Sequence, residues 1–446
     1  MGRIFGTDGV RGAANTILTP ELAFNLGRAG AYVLAQRVTA ADSLAILVGR
    51  DTRISGDMLQ AAMVAGILSV GADACLAGVL PTPAVAHLTA TQGVHAGVMI
   101  SASHNPAEDN GIKFFSRDGY KLPDELEDEI EYYLDHPASL PRPAGDRVGR
   151  VRLVEDWQQR YLDYLLQYRD FSLDGLHVVL DCANGAAYRL AAQLFAATGA
   201  VVTTINDSPD GTNINVNCGS TRPAGLAKAV VELGADLGFA FDGDADRLIA
   251  VDHLGQTVDG DAIMAICALD LKRRGLLSGD LLVATVMSNL GLEKAMQAAG
   301  IRLLRSQVGD RYVLAMMQET GAALGGEQSG HIIFSQLSTT GDGLLTALQL
   351  AGIVAGSSQS LAELAAVIQP YPQVLHNVRV ADKGIVDLPP VQAAIEQAKA
   401  ALDGRGRILV RPSGTEPLIR VMVEAEEQAL ADAVAMDVVR ALESAR

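Results

Sequence analysis

Apolar and polar positions along the chain follow one pattern that occurs three times. A short apolar strand is followed by a polar, glycine-containing turn, an alanine-rich amphipathic helix, a glycine and a second strand. The first strand of each copy is predicted at 44–48, 178–180 and 281–286, and the glycines after the helices are Gly71, Gly199 and Gly300. Glycine commonly follows a helix end because it adopts the left-handed conformation without strain. The pattern therefore predicts α/β layers in which helices cover a largely parallel sheet.

The spacing of the copies suggests separate domains, since solenoid repeats are only about 20–50 residues long. Three prolines between 136 and 145 and the stretch QPYPQV at 369–374 are typical of linkers. After the second linker, shorter strands mix with helices. We predict three related α/β domains at 1–150, 151–255 and 256–368, and a smaller α+β domain at 374–446.

Composition and charge narrow the class of protein. Apolar residues make up 49% of the chain and charged residues 20%, which is typical of a globular protein. The net charge of −17 makes nucleic acid or an anionic membrane an unfavourable partner. The four cysteines form no CxxC pair, and the N-terminal stretch has no apolar signal region, so we expect a cytoplasmic protein.

The stretch MISASHNP at 99–106 brings Ser101, Ser103 and His104 onto a loop directly after an apolar strand. Small residues around the serines leave room for a ligand. The residues alone also fit a β-turn in which Ser and Asn satisfy backbone groups, and that alternative stays open.

Three aspartates alternate in the stretch FAFDGDADRLIAV at 239–251, between two apolar runs that read as strands. Asp242, Asp244 and Asp246 would repel one another unless a cation neutralises them. A calcium EF-hand does not fit, because Arg247 and His253 occupy the positions of its glycine and its glutamate. The pattern favours Mg²⁺, and a solvated acidic hairpin tip is the alternative.

Two further stretches could bind a phosphorylated ligand. LGGEQSGH at 324–331 presents Glu327, Ser329 and His331 after two glycines, and it fits hydroxyl recognition or an ordinary turn. RILVRPSGTEPLIR at 407–420 combines arginines, two hydroxyls and a glycine amide, so a phosphate site and a plain hairpin are both open. The candidate residues for the phosphate site are Arg411, Ser413, Gly414, Thr415 and Arg420. GRDTRISG at 49–56 could be a helix-entry turn and nothing more.

Taken in order, the motifs resemble those of the alpha-D-phosphohexomutase superfamily. The resemblance runs from GTDGVRG at residue 6, which contains Arg11, through SASHNP, DGDADR and GEQSGH to RPSGTEP at 411–417. It implies three related α/β domains with mixed sheets plus a smaller C-terminal α+β domain around a central cleft, each domain contributing one loop. GTDGVRG, NINVNCGS at 213–220 and the wording GEQSGH favour the amino-sugar branch.

The resemblance also implies residue roles. Ser103 would carry a covalent phosphate, and one Mg²⁺ would be held by Ser103, Asp242, Asp244 and Asp246. Glu327 and Ser329 would bind the sugar hydroxyls. The group expected to assist near the transferred phosphate comprises Arg11, His104, Lys113, Arg247 and His331. The group expected to grip the non-reacting phosphate comprises Arg411, Ser413, Gly414, Thr415 and Arg420.

The expected reaction interconverts glucosamine 6-phosphate and glucosamine 1-phosphate through glucosamine 1,6-bisphosphate, which also acts as activator, and supplies UDP-N-acetylglucosamine and cell-wall precursors. The expected partner is a small-molecule sugar phosphate, with no nucleic acid and no membrane; a homodimer is one expectation, and the oligomeric state stays open. Three alternatives remain: the same mechanism on mannose or glucose phosphates, a Mg²⁺-dependent sugar phosphatase, and a sugar-phosphate binding protein without turnover.

Overall fold

The fold is taken from a computed structural model that describes residues 3–6, 8–37, 44–169, 171–413 and 417–445. The chain divides into two compact units. The first contains Met1–Val286 and Leu304–Ala365, and the second contains Met287–Leu303 and Ala366–Arg446. In the described ranges, no helix is both long enough and apolar enough to span a membrane.

The first sheet has six strands in the order β1-β5-β4-β2-β3-β6. Its strands are β1 (Val10–Ala13), β2 (Ala45–Arg50), β3 (Asp73–Val79), β4 (Ala96–Ile100), β5 (Asp109–Phe115) and β6 (Val151–Leu153). Its helices are α1 (Pro20–Ala35), α2 (Ser55–Ser69), α3 (Thr82–Thr91), α4 (Asp124–Asp135) and α5 (Trp157–Leu166). Strand β2 runs parallel to β3 and β4, whereas β5 is antiparallel to both β4 and β1. The serine loop thus leaves the carboxyl end of a fully buried strand, β4, where α/β sheets commonly bind ligands.

The second sheet has five strands in the order β11-β10-β9-β7-β8. They are β7 (His177–Asp181), β8 (Val201–Ile205), β9 (Leu237–Phe241), β10 (Leu248–Asp252) and β11 (Thr257–Val258), with helices α6 (Leu190–Ala196) and α7 (Ala224–Leu233). Every residue of β9 and β10 is buried, and the two strands form an antiparallel hairpin. The aspartate motif is the loop of this hairpin.

The third sheet has the order β13-β12-β14-β15. Its strands are β12 (Leu281–Thr285), β13 (Arg302–Ser306), β14 (Leu324–Gly326) and β15 (Ile332–Phe334). The helices of this part are α8 (Gly260–Arg273), α9 (Leu290–Ala298), α10 (Asp310–Thr320), α11 (Gly343–Ala355) and α12 (Leu361–Ala365). Strand β14 pairs parallel with β12 and antiparallel with β15, so GEQSGH joins two buried strands.

The second unit contains an antiparallel sheet of order β16-β18-β17. Its strands are β16 (Gln373–Arg379), β17 (Gly406–Pro412) and β18 (Leu418–Ala425), and α13 (Pro389–Leu402) and α14 (Gln428–Ser444) pack on them. Helix α9 also belongs to this unit. The first turn of α9 is bonded to β18, because the Leu290 N–H donates to the buried Glu424 carboxylate over 3.0 Å.

The fold class is confirmed, since three mixed sheets with helices are followed by a smaller antiparallel α+β part. The predicted strands lie within two residues of the observed ones, and Gly71, Gly199 and Gly300 all have positive φ. Strand β6 pairs with β3, so the first sheet includes residues beyond position 150. The predicted domain boundaries themselves stay a prediction.

Candidate active site

The serine loop holds its two serines in different roles. The Ser101 hydroxyl donates to Asp51 Oδ2 over 2.6 Å and accepts the Ser103 backbone N–H over 2.9 Å. The Ser103 hydroxyl donates instead to Asp242 Oδ2 over 2.6 Å. Ser103 is 1% exposed and has a φ of +54°, a left-handed conformation that is unusual for a residue with a Cβ. Ser101 therefore supports the loop, and Ser103 presents its oxygen to the aspartates.

The three aspartates of the hairpin loop form one buried cluster. One oxygen from each of Asp242, Asp244 and Asp246 lies within 4.8 Å of the others, and none of the residues is exposed by more than 5%. This burial rules out the solvated hairpin tip. Among the described residues, Oδ1 of Asp244 and Oδ1 of Asp246 have no hydrogen-bond partner. Buried carboxylate oxygens without donors fit a hard divalent cation, so the donor set matches Mg²⁺.

The pKa values of two aspartates in this cluster are shifted in opposite directions. Burial, together with Asp246 and Asp244, raises the pKa of Asp242 well above its ordinary value. Burial would also raise the pKa of Asp246, but His331, Lys113 and Arg247 outweigh it and lower that pKa. Three buried carboxyl groups therefore crowd one small region, and the protein places several positive side chains beside them.

Lys113 is the most buried of these partners. Its Nζ lies 2.9 Å from Asp244 Oδ2 and 3.0 Å from Asp8 Oδ2. Burial alone would lower the pKa of Lys113, but Asp244, Asp8 and Asp246 raise it above its ordinary value. Lys113 is thus a permanent cation at the cluster.

Around Lys113 lies a charge network that the sequence did not indicate. Asp8 also pairs with Arg11 and Lys121, and Lys121 pairs with Asp310 at the start of α10. Burial opposes ionisation of Asp8, yet Lys113, Lys121 and Arg11 hold its pKa well below the usual range. Asp8 lies within GTDGVRG, and its place in that glycine-rich stretch was the one sequence signal for it.

His104 and Arg247 lie beside the Ser103 hydroxyl. Arg247 Nη1 donates to His104 Nδ1 over 3.0 Å, which places the proton of the neutral ring on Nε2. Nδ1 is also 3.5 Å from Ser103 Oγ. Burial, followed by Arg247 and Arg11, lowers the pKa of His104 to about 4. His104 is therefore neutral near pH 7.

The GEQSGH loop brings His331 to the aspartates, while Glu327 and Ser329 pair with each other. His331 Nδ1 lies 3.6 Å from Asp246 Oδ2, and the Ser329 hydroxyl donates to Glu327 Oε2 over 3.4 Å. Burial lowers the pKa of His331, but Asp246, Asp310 and Glu327 raise it more. The Gly341 N–H donates to His331 Nε2 over 3.1 Å and favours the neutral ring with its proton on Nδ1, so the two influences oppose each other.

The predicted phosphate residues lie in the second unit. Arg411 of β17 stands directly opposite Arg420 of β18, so both side chains share one face. Burial and then Arg420 lower the pKa of Arg411. Lys383 Nζ donates to the Ser413 carbonyl over 2.5 Å, which adds a third cation. Gly414 and Thr415 fall outside the described residues.

GRDTRISG leads into helix α2, which begins at Ser55, and it also supports the serine loop. Arg53 is fully buried, and its guanidinium donates to carbonyl oxygens of the serine loop. Arginine is most often found on the surface, so only the tertiary contact revealed this role.

Comparisons with known proteins now assign the class. Four family models, described as phosphoglucomutase/phosphomannomutase alpha/beta/alpha domains I, II and III and C-terminal domain, match residues 2–139, 159–255, 259–371 and 375–441. The chain belongs to the phosphoglucomutase/phosphomannomutase family.

Its relatives within the family carry a more specific name. The chain is 57% identical to the phosphoglucosamine mutase of Desulforamulus reducens over 96% of both chains. It is 55% identical to that of Desulforudis audaxviator over 99% of this chain and 98% of the relative.

Solved structures share the fold. A phosphoglucomutase/phosphomannomutase family protein from Burkholderia thailandensis superposes with a TM-score of 0.84 at 26% identity, covering 99% of this chain and 97% of its own. An N-acetylphosphoglucosamine mutase from Aspergillus fumigatus, solved with GlcNAc-6P and magnesium, gives a TM-score of 0.70 at 18% identity over 99% of this chain and 95% of that one.

Proposed function

We propose that this chain is a phosphoglucosamine mutase, which interconverts glucosamine 6-phosphate and glucosamine 1-phosphate. One observation carries the proposal: the Ser103 hydroxyl is buried and lies 2.6 Å from Asp242 in a cluster of three aspartates. A serine oxygen at a carboxylate cluster suits a phosphoserine whose charge a cation neutralises. The names of the relatives that match nearly the whole chain support the amino-sugar substrate.

In the proposed reaction, Ser103 carries a phosphoryl group. The P–Oγ bond breaks as a sugar hydroxyl oxygen bonds to phosphorus, and the hydroxyl proton passes to a base. The product is glucosamine 1,6-bisphosphate, which turns and returns its other phosphoryl group to Ser103. Such transfers depend on positioning and charge neutralisation.

Asp242, Asp244 and Asp246 would hold Mg²⁺ together with an oxygen on Ser103. Bound there, Mg²⁺ would supply charge neutralisation and make the serine oxygen a better leaving group. Lys113, already paired with Asp244, offsets part of the negative charge of the aspartates before any metal binds.

Each of the remaining residues is assigned to the part of the substrate that it would contact. Arg11 and Arg247 would add positive charge near the transferred phosphoryl group, His331 would act there beside Asp246, and neutral His104 accepts a hydrogen bond from Arg247. Glu327 and Ser329 would take the sugar hydroxyls, since their side chains are less buried than the cluster. The facing pair Arg411 and Arg420, with Ser413, Gly414 and Thr415, would bind the non-reacting phosphate, because two facing guanidinium groups favour an anion.

The proposal extends to a cytoplasmic enzyme with domains at 1–150, 151–255, 256–368 and 374–446. The family segments, which begin and end near these positions, support the division. We leave the oligomeric state open, with a homodimer as one possibility.

The decisive experiment incubates the enzyme with glucosamine 6-phosphate, Mg²⁺ and a trace of glucosamine 1,6-bisphosphate, and follows the 1-phosphate by phosphorus-31 NMR. We expect the 1-phosphate to form and little free phosphate. Parallel reactions with glucose and mannose phosphates compare kcat/KM, and a higher value for either would move the substrate assignment. Free phosphate as the main product would identify a phosphatase, and binding without exchange would identify a binding protein.

A further inference from the structure

We propose that Arg53 is a positioning residue which, through Asp51 and Ser101, holds Ser103 in the conformation that faces Asp242. This inference rests on the proposed function, because it concerns the serine that would carry the phosphoryl group. None of the three residues touches the Ser103 hydroxyl itself.

The first set of contacts comes from the Arg53 guanidinium, which bonds to carbonyl oxygens of the serine loop. Nη2 donates to the Ser103 and Asn105 carbonyls, each over 2.9 Å. Nη1 donates to the Asp109 carbonyl over 3.0 Å and also to that of Pro106. One planar group therefore gathers four carbonyl oxygens from both ends of the loop, which a lysine ammonium with three donors cannot do.

The second set of contacts passes through Asp51 and Ser101 to the backbone N–H of Ser103. Arg53 Nε donates to Asp51 Oδ2 over 2.8 Å, and the Arg53 backbone N–H donates to Oδ1 over 2.9 Å. Oδ2 also accepts the Ser101 hydroxyl, whose oxygen accepts the Ser103 N–H. The N–H and the C=O of Ser103 are thus both fixed from the same ion pair.

Ser103 needs this restraint because its φ of +54° is unfavourable for a residue with a Cβ. Such a conformation persists only where its surroundings impose it. The aspartate loop adds to the restraint from the opposite side, since a Cβ on Gly243 would lie only 2.5 Å from the Ser103 carbonyl oxygen. Asn215 Nδ2 donates to the same oxygen over 2.9 Å. The position of Ser103 is therefore set by its backbone contacts.

Loss of the Arg53 contacts would remove one donor from each of these four carbonyls and let Ser103 relax toward ordinary backbone angles. Its hydroxyl would then turn away from Asp242. The sugar would still meet Glu327 and Ser329, which belong to another loop. We therefore expect the rate of phosphoryl transfer to fall while sugar binding is retained.

The test compares Arg53→Lys and Ser101→Ala with Arg50→Lys, a matched control from the same segment. Arg50 pairs with Asp57 over 2.6 Å and donates to no carbonyl of the serine loop. We expect Arg53→Lys to lower kcat roughly 100-fold and Ser101→Ala roughly tenfold, because small displacements of a reacting group cost rates of this order. KM should stay within about threefold of the parent in both variants, since uniform substrate binding is untouched. Arg50→Lys should match the parent in both constants.

A second measurement does not depend on turnover. Hydrogen exchange of the segment 101–109 should speed up in Arg53→Lys and Ser101→Ala and stay at the parent rate in Arg50→Lys. If the parent does not interconvert the two sugar phosphates at all, the proposed function fails. The hydrogen-exchange rates of the segment 101–109 still decide whether Arg53 holds the loop. Ser101→Ala removes a single hydroxyl, so it keeps the test decisive should Arg53→Lys fail to fold.

Three results would overturn the inference. One is parent-like kcat in Ser101→Ala together with parent-like hydrogen exchange. Another is a rise in KM with kcat unchanged, which would assign Arg53 to substrate binding. The third is an equal loss of kcat in Arg50→Lys, which would show that any change in this segment has the same effect.

Discussion

The Lys113 ammonium lies 2.9 Å from Asp244 Oδ2, and neither side chain is exposed by more than 1%. Thr82 donates its hydroxyl to the same oxygen over 2.6 Å. The pair comes from β5 of the first sheet and from the hairpin loop of the second. It therefore joins two parts of the first unit by a buried charge contact, so its loss should affect both stability and catalysis.

We expect Lys113→Met to lower the free energy of unfolding by about 3–5 kcal/mol, because it leaves Asp244 and Asp8 as buried charges without this partner. Saturating Mg²⁺ should restore part of the loss, since a cation at the aspartates replaces some of the missing charge. Urea unfolding with and without Mg²⁺ measures both effects. Lys228→Met is the control: its pair with Glu232 is exposed, so a change within about 0.5 kcal/mol is expected. Similar losses in the two variants would contradict the role of Lys113.

Magnesium binding should appear as a rise in Tm of the parent protein, because a ligand that binds only the folded state stabilises it. Asp246→Asn should remove most of that rise and abolish turnover, since Asp246 supplies an oxygen without a hydrogen-bond partner. Calorimetry over a Mg²⁺ titration is the measurement, with the exposed Asp437→Asn as control. An undiminished response in Asp246→Asn would remove this residue from the metal site.

The phosphoryl group should be found on Ser103. Intact mass should show an addition of about 80 Da on the active protein, and peptide mapping should place it at Ser103 and not at Ser101. Ser103→Ala should lose nearly all exchange between the two sugar phosphates, because no other hydroxyl donates to Asp242 among the described residues. Ser338→Ala serves as the control and should keep full activity. Phosphate found only on Ser101 would reverse the assignment of the two serines.

Arg411→Ala should reduce kcat/KM by roughly one to two orders of magnitude, since charge-assisted hydrogen bonds are worth about 1.5–3 kcal/mol. The change should appear chiefly in KM, because the proposed contact to the non-reacting phosphate would already form in the ground state. Inorganic phosphate should inhibit the parent weakly and the variant less. The control is Arg440→Ala, whose exposed side chain pairs with Asp437. Equal inhibition of Arg411→Ala and the parent would leave the β17–β18 turn as a plain hairpin.

Stability should depend on pH through His87, whose ring stacks on Tyr164 at 3.6 Å. Burial lowers the pKa of His87 to about 4, below the value of about 6.5 expected in the unfolded chain. Between these two values the unfolded state binds the proton and the folded state does not, so stability falls as the pH drops from 6.5 toward 4. His87→Gln should remove about 1 kcal/mol of this loss between pH 6.5 and 5, after allowance for solvent screening.

Urea unfolding of the parent and of His87→Gln at the two pH values isolates the group, since every other titration cancels in the difference. A His87→Gln slope equal to that of the parent would show that the ring takes up its proton over the same pH range in the folded and the unfolded states.

The sequence by itself determined the class of fold and the position of the aspartate motif. Both depend on local patterns: strand and helix periods repeat within a few residues, and Asp242, Asp244 and Asp246 are near neighbours along the chain. The hairpin that carries them could be predicted because its two strands are adjacent in sequence. The serine loop and GEQSGH were found in the same way, although their ordinary-turn interpretations stayed open.

Only the tertiary structure decided how these loops are held. Arg53 contacts carbonyls some fifty residues away, and Lys113 meets Asp244 across 131 positions. Nothing in the local pattern marks a charged residue as buried, because burial of a charge depends on which partners the fold brings to it. The separate roles of Ser101 and Ser103 have the same origin, since each hydroxyl is assigned by the carboxylate it reaches, Asp51 or Asp242.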